Sequence, residues 1–357
     1  MKYNITPPDT TVYNNIKKNW DLIAKPLSGL GIFEELAARI GAIQGSEDVN
    51  IKNRAAIIMC ADNGIISEGV SQSEADVTLT VARLMGQNNS SVCHLGASTR
   101  TEIIPVDIGI CSDEILPGVL NEKVSRGTNN FLIEAAMTEE QCHQAIDTGI
   151  RLIGDYKKRG YDLIAAGEMG IGNTTTAAAV CACLLSLSAD EVTGRGAGLG
   201  DTGLKRKTEV IEKAIELYGG MDTFSVLQGC GGLDIAGMTG LYIGGAVHHI
   251  PIIIDGAVSA VAALCARSLC PGSEAYMIPS HAGKEGISSI ILQELGLYSL
   301  TPIHANMAFG EGTGAVLLPV LLDAVLALYR DGMRFSQTPI EEYVRFDDDD
   351  SKQSGEA

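Results

Sequence analysis

The sequence predicts an α/β protein: a doubly wound, mostly parallel Rossmann-like sheet with a smaller helical subdomain built from both chain ends. Three observations carry this. Five short apolar runs look like buried strands, each leads straight into polar or glycine-bearing residues, and helical stretches separate them. Parallel strands need crossover connections and bury both faces, so their sequences are continuously apolar. Sheets of this kind bind ligands outside the carboxyl ends of their strands, where the polar residues after each run converge.

A helix is expected first, over Val12 to Ala24. The first strand is Ala55 to Cys60, ending at Asp62-Asn63-Gly64, and the second is Glu102 to Val106, ending at Asp107-Ile108-Gly109. A helix over Glu139 to Tyr156 leads to the strand Leu163 to Ala166, the turn beginning Gly167-Glu168, and an alanine-rich helical stretch from Thr176 to Leu185. Lys205 to Tyr218 reads as a helix. Pro251 to Ile254 runs into Asp255-Gly256, and Ala275 to Ile278 runs into Ser280-His281. Ile287 to Leu297 and Ala315 to Tyr329 then read as helices with no strand between them. The predicted division is a large α/β domain over 26–282, a small helical subdomain from 1–25 and 283–340, and an acidic tail over 341–357. The run Asp347-Asp348-Asp349-Asp350 reads as a solvated, disordered terminus.

Composition excludes several functions. A net charge of −18 opposes nucleic acid and anionic membranes, and with 5% aromatic residues a base-stacking platform is not expected. The nine cysteines are odd in number and contain no C-x-x-C, which fits free thiols in a reducing cytoplasm rather than disulfides or a zinc site. Cys181 and Cys183, two apart on a helix, point to different faces. The N-terminus lacks an apolar signal core, and the apolar segment Ile250 to Cys265 is interrupted by Asp255 and too short for a bilayer. A soluble cytoplasmic protein is expected.

The loop Gly167-Glu168-Met169-Gly170-Ile171-Gly172-Asn173-Thr174-Thr175 is the most informative segment. Its glycines let backbone N–H groups approach an anion, and the helix that follows adds partial positive charge. Glu168 would be misplaced in a pure phosphate cradle, so the loop reads as holding both a phosphate and a reacting centre. Gly167, Gly172 and Thr174 share the spacing of the nucleoside-triphosphate loop, but Asn173 stands where that loop needs lysine. Two further glycine-rich loops, Gly194 to Gly203 and Gly310 to Ala315, also lead into helices. Taken singly, each reads equally well as a turn, and Glu311 as a first-turn acid favoured by the helix dipole.

Together, Gly-Glu-Met-Gly-Ile-Gly-Asn-Thr-Thr and Gly-Glu-Gly-Thr-Gly-Ala give a sharper reading. The chain resembles the nicotinate-nucleotide:dimethylbenzimidazole phosphoribosyltransferase family, which makes the lower-ligand nucleotide of cobamides. Lys25 to Gly31, Arg126 to Phe131, Gln228 to Met238, Ile254-Asp255-Gly256 and Ser280-His281 match in order, so the resemblance runs from about residue 20 to about residue 330. It implies transfer of the 5-phosphoribosyl group of nicotinate mononucleotide to a base nitrogen, with inversion and release of nicotinate. A pyridinium leaving group is already activated, so neither a metal nor another cofactor is expected.

In family terms Glu311 is the general base and Glu168 a second active-site carboxylate, which would steady positive charge developing on the ribose. Gly170, Gly172, Asn173, Thr174, Gly196 and Gly198 would hold the phosphate and ribose, with Lys207 as counter-charge. Lys207 also reads as a solvated helix residue beside Lys205 and Arg206. Ser71 and Met169 fall in the acceptor-base pocket. Around Val70 to Thr78 the chain lacks the aromatic residue and proline usual in the family, and Asn63 replaces a common histidine. The acceptor could therefore be a benzimidazole, or a phenol as in some members that work as paired, diverged subunits. A non-catalytic partner subunit is a third reading. The resemblance favours a dimer, of identical chains or with a paralogue.

Overall fold

The computed structural model describes residues 3–345 apart from 75 and 197. The Asp347–Asp350 run of the expected acidic tail lies outside the described residues. Six strands form one parallel sheet: β1 (Arg54–Ala61), β2 (Glu102–Gly109), β3 (Leu120–Asn121), β4 (Leu163–Met169), β5 (Ile252–Ile254) and β6 (Met277–Pro279). Their order is β3-β2-β1-β4-β5-β6. The winding direction therefore reverses between β1 and β4, which opens a crevice at their carboxyl ends. Cys60 pairs with Met169 in register there, so the turn after β1 and the glycine loop after β4 emerge side by side.

All eight residues of β1 are buried, and their alternation divides them between two cores. Ala55, Ile57 and Met59 face the helices Glu139–Lys158, Asn173–Leu185, Leu233–His248 and Ala257–Leu269. Ala56, Ile58 and Cys60 face Ile32–Gln44, Ser91–Thr99 and Thr313–Asp331. The first helix, Thr10–Asp21, joins this second core through Ile16 and Trp20, and Trp20 packs on Tyr329 with ring centroids 4.9 Å apart. Full burial of side chains this size contributes roughly 1.5–3 kcal/mol each before entropy is counted. Thr313–Asp331 is long and apolar enough to cross a membrane, yet over half of its apolar window is buried inside the fold. It is a core helix.

Two readings of the sequence are corrected here. A strand does lie between the last two helices: β8 (Ile303–Met307) pairs in parallel with β7 (His281–Gly283) as a separate two-stranded sheet. β8 reads Ile-His-Ala-Asn-Met and is largely exposed, so it has no buried apolar run to betray it. The strand expected over 275–278 starts only at Met277, because Ser273–Tyr276 forms a 3-10 turn.

Candidate active site

Glycine brings the two acidic loops together. A Cβ on Gly167 of β4 would lie 2.8 Å from Gly312 Cα, and one on Gly310 would lie 3.0 Å from Glu168 Oε1. Backbone thus packs on backbone, and the loops carrying Glu168 and Glu311 meet over the end of β4. Gly310, Glu311 and Gly312 have φ of 80°, 57° and 74°. For Glu311, with its Cβ, a left-handed conformation costs on the order of 1 kcal/mol and needs an anchor. Asp255, buried just beyond β5, is that anchor: its carboxylate accepts from Gly312 N at 3.2 Å and Ala315 N at 2.9 Å. The same contacts place a negative charge at the start of the Thr313–Asp331 helix, where the helix dipole favours one.

The acids crowd one another. Glu168 is half-buried at the crevice, and its surroundings push it up to about 8 through loss of solvation first, then the charge of Asp234, against a hydrogen bond from Asn173. The Asn173 side-chain N–H₂ donates to Glu168 Oε2 and, at 2.9 Å, to Asp234 Oδ2. Asp234 is fully buried and pushed up to about 6 by desolvation, although Asn173 and the Ile235 N–H oppose that rise. Glu311 is raised by burial and by Asp255, and its Oε2 is enclosed without a hydrogen-bond partner. Asp255 is raised by desolvation, with His281 the strongest opposing influence. His281 Nδ1 lies 2.8 Å from Ser280 Oγ.

The other end of the crevice suits an anion. The helix Asn173–Leu185 starts after Gly172, whose φ of 93° turns the chain, and no side chain caps it. Lys207 Nζ donates to Thr174 Oγ1 at 2.9 Å and to the Gly194 carbonyl at 3.1 Å. Lys207 is completely buried, which rules out the solvated reading, and burial draws it down to about 8 against the pull of Glu285. Glu285 Oε1 in turn accepts from Gly196 N at 2.8 Å.

Between these ends lies a cavity of ≈ 330 Å³. Of the residues singled out from sequence, Glu168, Glu311, Gly170, Gly172, Asn173, Thr174, Gly196, Ser71 and Met169 line it. Lys207 and Gly198 do not. Lys207 lies behind Thr174, and the Gly198 carbonyl accepts from Gln72 Nε2, tying the Ser71 segment to the glycine loop. Val77, Val81 and Phe309 add apolar wall. Sequence reasoning gave no role to Asp234, Asp255, Glu285 or Phe309. Asp255 carried a signal, an acid directly after an apolar strand run, and Phe309 directly precedes the Gly310 loop. Among the described residues no three His, Cys, Asp or Glu side chains are arranged to hold a metal ion. All nine cysteines are free, and all but Cys111 are buried.

A switch-point crevice with an uncapped helix start backed by Lys207 at one end and paired carboxyl groups at the other suits a glycosyl-transfer type of reaction. A family model described as "Phosphoribosyltransferase" matches residues 5–340. The chain is 38% identical over 329 residues to a nicotinate-nucleotide–dimethylbenzimidazole phosphoribosyltransferase of Ruminiclostridium cellulolyticum, covering 92% of this chain and 93% of that one. It is also 38% identical over 330 residues to the protein of the same name from Acetivibrio thermocellus, with 92% and 93% covered. A crystal structure of CobT from Thermus thermophilus superposes with a TM-score of 0.87 at 31% identity, over 93% of this chain and all of that one. The chain belongs to the nicotinate-nucleotide–dimethylbenzimidazole phosphoribosyltransferase family.

Proposed function

We propose that this chain transfers the 5-phosphoribosyl group of nicotinate mononucleotide to dimethylbenzimidazole or a similar lower-ligand base, for cobamide synthesis. The observation that carries the reading is the meeting of Glu168 and Glu311 beside an uncapped helix start backed by Lys207. The donor phosphate would lie at Gly172, Thr174 and Gly196, and the ribose near Glu168 and Asn173. The acceptor ring would lie against Met169, Ser71 and Phe309, facing Glu311.

In this reading the acceptor nitrogen lone pair attacks ribose C1′ from the face opposite the pyridinium. The new C1′–N bond forms as the old one breaks, and its electron pair neutralises the leaving nicotinate ring. The second acceptor nitrogen loses its proton to the Glu311 carboxylate, which returns it to water after release. An unpartnered Oε2 and a raised pKa suit a group that must both take and return a proton. Positive charge gathers on the ribose as the bonds exchange, and the nearby carboxyl of Glu168 stabilises it once ionised.

A phenolic acceptor is the second reading. Phe309 is the lone Phe, Tyr or Trp lining the cavity among the described residues, and the Ser71–Ser73 stretch supplies none. That leaves room for a ring without a second nitrogen. Dimerisation, with an identical chain or a paralogue, is supported by the exposed Val320, Leu321 and Leu328 on the Thr313–Asp331 helix. A cytoplasmic setting is supported by nine free cysteines. The test is to incubate the purified chain with nicotinate mononucleotide and either dimethylbenzimidazole or p-cresol, and to separate the products. Equal amounts of nicotinate and ribotide are expected with dimethylbenzimidazole. Absence of nicotinate with every acceptor would favour a non-catalytic partner subunit.

A further inference from the structure

Asp234 is an ionisable group that the proposed reaction does not use. It lies at the start of the Leu233–His248 helix, is fully buried and does not line the cavity. Its Oδ1 accepts from Ile235 N at 3.0 Å and its Oδ2 from Asn173 Nδ2 at 2.9 Å. The same Asn173 nitrogen reaches Glu168. One amide therefore spends both of its hydrogens on two acids, which turns its oxygen away from them. Reversing the amide would aim that oxygen at two carboxyl groups, so the acids set its orientation.

Space around Asp234 is reserved by glycine. A Cβ at Gly170 would lie 2.8 Å from Asp234 Oδ2, and one at Gly232 would lie 2.4 Å from Oδ1. Gly170 of the phosphate loop is thus required partly by a residue far along the chain. The buried Asn63 amide borders the same space, with neither its Oδ1 nor its Nδ2 hydrogen-bonded.

We propose that Asp234 is a positioning residue for Glu168: through the shared Asn173 amide it fixes that amide's orientation and keeps the Glu168 carboxyl protonated until the donor binds. Two carboxyl groups this close, bridged by a neutral donor, cannot both ionise cheaply out of water. Asp255 and Glu311 face Glu168 from the β5 end and the Gly310 loop, and add to the repulsion. Asp62, beyond β1, faces Asp234, and the buried Cys60 thiol of β1 also lies in the field of both acids. His281 acts on Asp255 instead. Resting on the donor reading above, the cationic pyridinium then draws the proton from Glu168 into water, which delivers the carboxylate when positive charge arrives.

The test is a carbon-13 NMR titration of the ligand-free enzyme labelled at glutamate carboxyl carbons, with Glu168 assigned by its loss in Glu168→Gln. Glu168 should titrate above neutrality in the parent. In Asp234→Asn its midpoint should fall by on the order of one pH unit or more. Asp234→Ser serves the same purpose if the asparagine variant does not fold. A parent midpoint in the ordinary range near 4.5, or an unmoved midpoint in a folded variant, overturns the proposal. The acidic limb of kcat/KM should move down with the NMR midpoint, whereas a merely structural role would lower kcat and leave the limb in place. Nicotinate mononucleotide added at about pH 7 should ionise Glu168 in the parent. A high midpoint that the nucleotide leaves unchanged would keep the Asp234 role and remove the donor reading.

Discussion

The acidic end of the cavity and the end backed by Lys207 are both built from buried ionisable groups, yet they are fixed in different ways. At the Lys207 end the lysine is held by a hydroxyl and a carbonyl, Thr174 Oγ1 and Gly194 O, and burial lowers it to about 8. At the acidic end Glu168 is held by an amide shared with another acid, and burial raises it to about 8. Burial pushes each group towards its neutral form. In the proposed binding mode, a donor with an anionic phosphate and a cationic ring would reverse both effects, one at each end. Desolvation would thus make two buried groups responsive to a zwitterionic ligand.

If this contrast holds, chemistry and binding separate by end. The largest effect is expected at Glu311. Glu311→Gln should lower kcat by roughly a hundredfold or more while calorimetric binding of the nucleotide stays near the parent value. Near-full activity with every acceptor would remove Glu311 as the base. Next is Lys207→Met, which keeps most of the buried volume. It should weaken nucleotide binding by ~1.5–3 kcal/mol and leave the affinity for the nucleoside that lacks the phosphate unchanged. Equal losses for both ligands would mean that Lys207 only supports the loop.

A smaller effect should come from separating the two loops without touching either acid. In Gly167→Ala the new Cβ meets the Gly312 backbone at 2.8 Å. Pushing the Gly310 loop away should lower kcat by roughly tenfold, since small misplacements of reacting groups are costly. Phosphate binding should hardly change, and a variant that loses only phosphate affinity would reverse the assignment of ends.

The smallest effect concerns stability. Desolvation, then the charge of Asp234, pushes the Glu168 carboxyl up to about 8 in the folded chain, against an ordinary value of 4.5. Between those values the folded state binds more protons than the unfolded one, so this residue's contribution falls as pH rises. Glu168→Gln removes that dependence. The Tm of the variant should gain on the parent by about five degrees between roughly pH 5 and pH 8. A constant difference across that range would mean that Glu168 ionises freely.

Much of this was legible in the sequence where neighbours in the chain are neighbours in space. β1, β2 and β4 are continuous apolar runs because both faces of the sheet are covered, and the glycine loops announce the turns that follow. β7 escaped because its three residues, His-Ala-Gly, are too few to form an apolar run although they are mostly buried, and β8 because it is largely exposed. Asp234 escaped because its partner Asn173 is 61 residues away in the chain. Lys207 could have been read more firmly. It shares a face with Val210, Ile211 and Ala214, at the i, i+3, i+4 and i+7 spacing of a buried helix stripe. Beside Lys205 and Arg206, that spacing was the one sign that its charge points inward.

The most direct test of the mechanism is the anomeric configuration of the ribotide formed from nicotinate mononucleotide and dimethylbenzimidazole, read by proton NMR of the isolated product. Attack opposite the pyridinium in one step, with Glu311 taking the proton, predicts the α-anomer. A β-anomer would mean two displacements through an intermediate that a single inverting step does not contain, and would contradict it.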